Sequence, residues 1–224
     1  MIKFQKVSKK FGTGSAVLSD ITLQIDKDEF VFLVGPTGSG KTTLFRLITR
    51  EILPTEGDIT VSDWSIRKLP KEKISTLRKK IGVIFQDLKL LNDRTVFENV
   101  VLPLEIDNKN EISAKKIAEE VLEQVGLSAH RDKFPVQLSG GELQRVAIAR
   151  ALVLSPEVIL ADEPTGSLDP ATALEIVNKL LEINKKGTTI IMATHKLDIV
   201  KDVPKRVIAL DKGRIVRDER RRKS

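Results

Sequence analysis

The segment GPTGSGKT at residues 35–42 carries the pattern GxxxxGK(S/T), and its residue types answer the needs of phosphate binding. Gly35, Pro36, Thr37, Gly38, Ser39 and Gly40 form a glycine-rich turn in which the N–H groups of residues 38–42 can converge on one anion. Lys41 adds a charge that reaches β- and γ-phosphate oxygens, and Thr42 offers its hydroxyl to a magnesium ion. Thr42 and Thr43 open a helix expected to run to Arg50, whose positive end faces the same point. The preceding run FVFLV at 30–34 is continuously apolar, as a strand buried on both faces requires. Strand, loop and helix thus follow in the order that the motif needs.

A second acidic site lies in VILADE at 158–163. An apolar strand ending in Asp162 and Glu163 places two carboxylates at its carboxyl end, where ligands of open α/β sheets gather. Asp162 is the natural direct or indirect magnesium partner. Side chains of consecutive residues diverge, so Glu163 points elsewhere and can polarise an attacking water as general base. In LSGGE at 138–142, Ser139, Gly140 and Gly141 open a helix whose N-terminus can face a phosphate, with Ser139 as a side-chain donor or simply as the helix cap.

LSGGE followed by LQRVAIARAL resembles the signature of the ATP-binding cassette (ABC) ATPase family, and the other motifs occur in that family's order from Phe11 to His195 and into the C-terminal strands. The resemblance implies ATP and Mg²⁺ as ligands, ATP hydrolysis, and a head-to-tail homodimer formed on ATP binding. In it the Ser139–Glu142 segment caps the γ-phosphate held by the other subunit. It further implies that Gln86 senses Mg²⁺ or water, that His195 contacts the γ-phosphate, that Asp169 crosses the dimer interface, and that Phe11 stacks on adenine. Asp169 before Pro170 is also an ordinary helix N-cap. Three positions depart from the family's habit: Phe11 stands for tyrosine, Glu142 for glutamine and Lys196 for aspartate. ADEPTGSLD at 161–169 is similar to the branch of cell-division, lipoprotein-release and macrolide-export ATPases. The segments FQDLKLLNDRTVFENV and GRIVRDE resemble its cell-division members. That branch implies an integral membrane partner and control of cell-wall hydrolases; the alternative is the ATPase of a lipoprotein or small-molecule transporter.

The elements that must hold these residues alternate between strand and helix. Period-two segments at 2–7, 17–25 and 57–61 and apolar runs at 81–85, 158–161 and 188–194 predict strands. The expected fold class is α/β, with a mainly parallel sheet in a P-loop NTPase core. The resemblance adds an antiparallel N-terminal β part. Between residues 88 and 155 the spacing of Ile117, Val121, Leu122 and Val125 is helical, and Gly126 ends that run. The expected organisation is one domain, 1–224, with a core of about 1–87 and 156–224 and an inserted helical subdomain of about 88–155. Leu88, Leu90, Leu91, Val96 and Phe97 exceed the apolar content of a plain loop, so they line a groove for a partner helix or pack internally.

Hydrophobic residues make up 41% and charged residues 31%, and no apolar run approaches the ~18 residues of a membrane span. The first residues alternate rather than forming a secretory core, so the expected location is the cytoplasmic face of a membrane, reached through the partner. With no cysteine, disulfides, thiol catalysis and Cys-ligated zinc are excluded. The net charge of +7 leans on the segment Lys212–Ser224, with seven basic and two acidic residues. That segment reads as a solvated end, or as an assisting contact to an anionic membrane surface or acidic partner. No nucleic-acid partner is expected, because the body of the chain is only mildly basic.

Overall fold

The computed structural model describes residues 1–12 and 14–220. Its strands and helices follow in the order β1 (Ile2–Lys10), β2 (Ala16–Ile25), β3 (Phe30–Val34), α1 (Lys41–Ile48), β4 (Glu56–Val61), β5 (Trp64–Ser65), α2 (Ile74–Lys79), β6 (Ile81–Ile84), α3 (Val96–Ile106), α4 (Glu111–Gln124), α5 (Gly140–Leu152), β7 (Val158–Asp162), α6 (Pro170–Lys185), β8 (Thr189–Thr194), α7 (Leu197–Asp202), β9 (Arg206–Asp211) and β10 (Arg214–Glu219). The fold is α/β, as expected.

Two sheets form. The larger has strand order β10-β9-β3-β8-β7-β6, parallel throughout except for β10, which returns antiparallel to β9. The smaller, β2-β1-β4-β5, is antiparallel. The apolar runs in β3, β7 and β8 are buried at every position because both faces of the parallel sheet are covered. Phe30, Phe32 and Val34 pack with the helical region on one face. Val31 and Leu33 pack with α1 and the antiparallel sheet on the other. One strand therefore joins two cores.

Between β6 and β7 every regular element is helical. α3 begins at Thr95, whose hydroxyl accepts from the Glu98 amide while the Glu98 carboxylate accepts from the Thr95 amide. This reciprocal cap satisfies two orphan donors of the first turn. α4 is followed closely by Gly126 at φ 73°, the left-handed conformation that glycine adopts without Cβ strain. Among the apolar residues at 88–97, internal packing prevails: Val96 is fully buried, Leu88, Leu90 and Phe97 pack against the core, and Leu91 is exposed.

The C-terminal segment is not a free end from Lys212. Residues Arg214–Glu219 form β10, and Asp218 accepts two hydrogen bonds of 2.7 Å from the buried Arg206. Arg206 also reaches Glu29 at 3.0 Å, and Arg220 reaches Asp26 at 2.9 Å. The reading as a solvated end misses the Arg220–Asp26 pair, whose two residues lie far apart in sequence. The final residues, 221–224, with the basic residues at 221–223, lie outside the described residues.

Candidate nucleotide site

β3, β7 and β8 deliver their carboxyl ends to one side of the parallel sheet, and the loops that leave them meet in a cleft. Its lining brings Thr37, Gly38, Gly40, Lys41, Thr42, Thr43, Gln86, Asp162, Glu163 and His195 together with Val17. Val17 was not singled out in the sequence; it stands near the start of β2, beside the glycine loop. The loop's shape depends on absent side chains. A Cβ on Gly35 would stand 2.1 Å from the Leu210 carbonyl oxygen, and one on Gly40 would stand 2.6 Å from Leu18.

The two carboxylates diverge as expected. The Thr42 hydroxyl donates to Asp162 Oδ2 at 2.8 Å, whereas Glu163 turns to His195. Its Oε1 is 2.9 Å from His195 Nδ1, and its Oε2 accepts from the His195 amide at 3.3 Å. Glu163 achieves this direction with φ 49°, a left-handed conformation uncommon for a residue with a side chain and concentrated at functional sites. Lys41 Nζ donates to the carbonyls of Gly35 and Pro36 at 2.7 and 3.1 Å and stands 3.9 Å from Glu163 Oε1.

Burial pushes the Asp162 carboxyl above its ordinary range; the Thr42 hydrogen bond opposes that shift and the nearby Glu163 charge adds to it. A buried carboxylate beside a hydroxyl, with the Gln86 amide in the same cleft, is a hard-oxygen donor set. It suits Mg²⁺, which prefers few protein oxygens and completes its shell with water and phosphate. The residues present therefore fit that ion.

Other sequence-identified residues lie outside this cleft. Phe11 is 44% exposed and carries the Lys9 ammonium 4.9 Å from its ring centre. Ser139 caps α5: its hydroxyl accepts from the Glu142 amide at 3.4 Å, and Glu142 Oε2 accepts from the Ser139 amide and hydroxyl, both at 2.7 Å. The Ser139 hydroxyl, and then its amide, hold the Glu142 carboxyl below the usual range. Glutamic acid at this position thus completes a capping box. His130 stands 3.0 Å from Glu142 Oε1, a contact that no local pattern reveals. Asp169 caps α6, accepting from the Thr172 amide at 3.0 Å. Gly140 and Gly141 lie against α6 and the loop before it: a Cβ on Gly140 would meet Leu168 at 3.2 Å, and one on Gly141 would meet Thr172 at 2.6 Å.

A mainly parallel α/β core, a phosphate-type loop, a strand-terminal carboxylate pair and a capped LSGGE helix define a nucleotide-driven ATPase of the cassette type. The family described as ABC transporter matches residues 18–166, and the chain belongs to it: it is an ABC ATPase. It is 48% identical over 222 residues to the cell division ATP-binding protein FtsE of Mycobacterium tuberculosis, covering 99% of this chain and 96% of that one. It is also 48% identical to FtsE of Bacillus subtilis over 221 residues, covering 99% and 97%. Among solved structures, a dimeric ATP-binding cassette in a post-hydrolysis state bound to ADP and Pi superposes with a TM-score of 0.89 at 35% identity, covering all of both chains.

Proposed function

We propose that this chain is the ATPase of a cell-division complex: two copies close head to tail around two ATP molecules and drive an integral membrane protein of the FtsX type, which regulates peptidoglycan hydrolases. The convergence of the phosphate loop, Asp162, Glu163 and His195 in one cleft carries the chemical part of this reading. Near-complete coverage of the FtsE relatives supports the cellular part over a transporter ATPase.

In this mechanism the amides of residues 38–42 and Lys41 bind the β- and γ-phosphates, and Phe11 supplies the stacking face for adenine. Thr42, Asp162 and Gln86 would hold Mg²⁺, which supplies charge neutralisation at the phosphates when bound. Glu163 orients and deprotonates the attacking water. His195 keeps that carboxylate in place through the 2.9 Å contact and faces the γ-phosphate. Ser139, Gly140, Glu142 and Asp169 lie on exposed or partly exposed loop and helix ends apart from the cleft, with Gly141 buried behind them, which fits a surface that completes the partner copy's site.

Residues about 88–155 act as a helical subdomain that moves against the core, with Gln86 at the joint. A larger groove lies beside this joint, lined by Phe45, Val83, Phe85, Pro103, Leu154 and Arg150 among others; it is the docking site for a cytoplasmic helix of the membrane protein. Among the described residues no helix is long and apolar enough to cross a membrane, so the partner supplies attachment at the cytoplasmic face and the basic end only assists.

The decisive experiment is Glu163→Gln in the full chain. The variant is expected to keep Mg·ATP binding, lose hydrolysis by about 10²–10⁴-fold, and sediment as a dimer with ATP. A variant that hydrolyses like wild type, or stays monomeric at saturating ATP even with the membrane protein present, overturns the mechanism. Release of most of the protein from membranes on deletion of the FtsX-like protein tests the cellular assignment; full retention without it refutes that part.

A further inference from the structure

Lys196 follows the switch histidine, where the family commonly has aspartate, and its side chain has a defined task. Its Nζ donates to the carbonyl oxygens of Thr165 at 2.7 Å and Leu168 at 3.1 Å, while its own amide donates to Thr194 Oγ1 at 3.0 Å at the end of β8. The clasped segment starts directly after Glu163 and Pro164 and ends at Asp169. It is folded on itself by hydrogen bonds from the Gly166 amide to the Glu163 carbonyl and from the Leu168 amide to the Thr165 carbonyl. Thr165 is fully buried, and Leu168 lies against the glycine that opens α5, close enough that a Cβ added to Gly140 would meet it at 3.2 Å.

These contacts make a continuous path within one chain. His195 touches Glu163; its neighbour Lys196 fixes the 165–168 loop; that loop abuts Gly140, which begins the LSGGE helix. An aspartate at position 196 would present an anion to the same two carbonyl oxygens and could not donate to them. A charged donor shared by two carbonyls is among the stronger hydrogen-bonding arrangements, and it joins the end of the cleft that faces the γ-phosphate to the surface that faces the partner copy.

We propose that Lys196 is a positioning residue that ties the switch loop to the interface loop 165–168 and thereby couples the two nucleotide sites of the dimer, an inference that rests on the two-site reading above. Hydrolysis at one site then depends on the state of the other through this clasp. Its loss leaves each cleft able to bind nucleotide but less able to respond to its counterpart.

The test compares the full-length wild type, Lys196→Met and Lys196→Arg by ATP titration of hydrolysis and by thermal unfolding. Lys196→Met is expected to lower kcat by about tenfold, to leave KM within about twofold, and to reduce the Hill coefficient toward one. Lys196→Arg keeps a charged donor and is expected to restore most of kcat and cooperativity. If Lys196→Met remains as cooperative as wild type, or if its loss of kcat follows only the fraction unfolded and Arg does not rescue it, the clasp has no coupling role. If wild type itself lacks cooperativity, the two-site reading fails and the inference with it. A cooperative wild type with an equally cooperative Lys196→Met variant sinks the inference alone.

Discussion

Asp162 sits where its charge is least welcome until a cation arrives. Burial raises its carboxyl pKa, so the folded chain holds that proton more tightly than the unfolded one. The associated stability is present below the unfolded value, about 4, and is lost as pH rises through the higher folded value. Asp162→Asn removes this cost: it is expected to raise the melting temperature of the nucleotide-free protein at neutral pH, with the gain vanishing near pH 4, and to abolish the further stabilisation by Mg·ATP. Calorimetry across pH with and without Mg·ATP checks both signs. Lys41 is a different case, since its partners here are the Gly35 and Pro36 carbonyls and its proposed ligand is phosphate. Lys41→Ala is therefore expected to weaken ATP binding by at least about tenfold, as loss of a charged hydrogen bond implies, measured by fluorescent-nucleotide titration.

The elements carry their functional residues by their ends. Thr95, Ser139 and Asp169 cap α3, α5 and α6, and two of these three caps belong to the surface proposed to meet the partner copy. Ser139→Ala and Thr95→Ala are each expected to cost about 1 kcal/mol in urea unfolding, whereas Ser139→Arg is expected to block the ATP-dependent dimer of the Glu163→Gln background while the single chain stays folded. Much at this scale was legible in the sequence, because a buried parallel strand reads as a continuous apolar run and the phosphate loop is a contiguous motif. β3, β7 and β8 were placed to within about a residue for that reason. What spacing could not show was contact across the chain. His130 reaches Glu142, Lys196 reaches Thr165, and Leu88 and Phe97 turn inward onto the core; each depends on how separate helices and loops are brought together, which no local periodicity encodes.

At the scale of the whole molecule, Arg206 fastens the last strand to the rest. It is 9% exposed and serves Glu29, Asp218 and the Gln24 carbonyl together. Its hydrogen bonds hold the Asp218 carboxyl below the ordinary range. The sign here is opposite to that of Asp162: this stability is present above the unfolded pKa of about 4 and is lost as pH falls through the lower folded value. Arg206→Met strands two carboxylates and is expected to cost about 3 kcal/mol, the low end for breaking a buried pair, because Asp218 is 37% exposed. Urea unfolding of the variant at neutral pH and below pH ~4 should show that penalty shrinking with acidity.

The strand that Arg206 fastens is also the rim of the parallel sheet. β10 is the terminal strand in the order β10-β9-β3-β8-β7-β6, and its exposed Arg214, Arg217, Asp218 and Glu219 place charges of both signs along the sheet's edge, where charge discourages pairing with another strand. Behind it lies β9, with Val207, Ile208 and Leu210 buried. A chain ending at Gly213 would thus trade a charged border for a sticky one. Such a truncation should self-associate in light scattering at concentrations where the full chain stays dispersed, making β10 a guard against aggregation as well as the last piece of the fold.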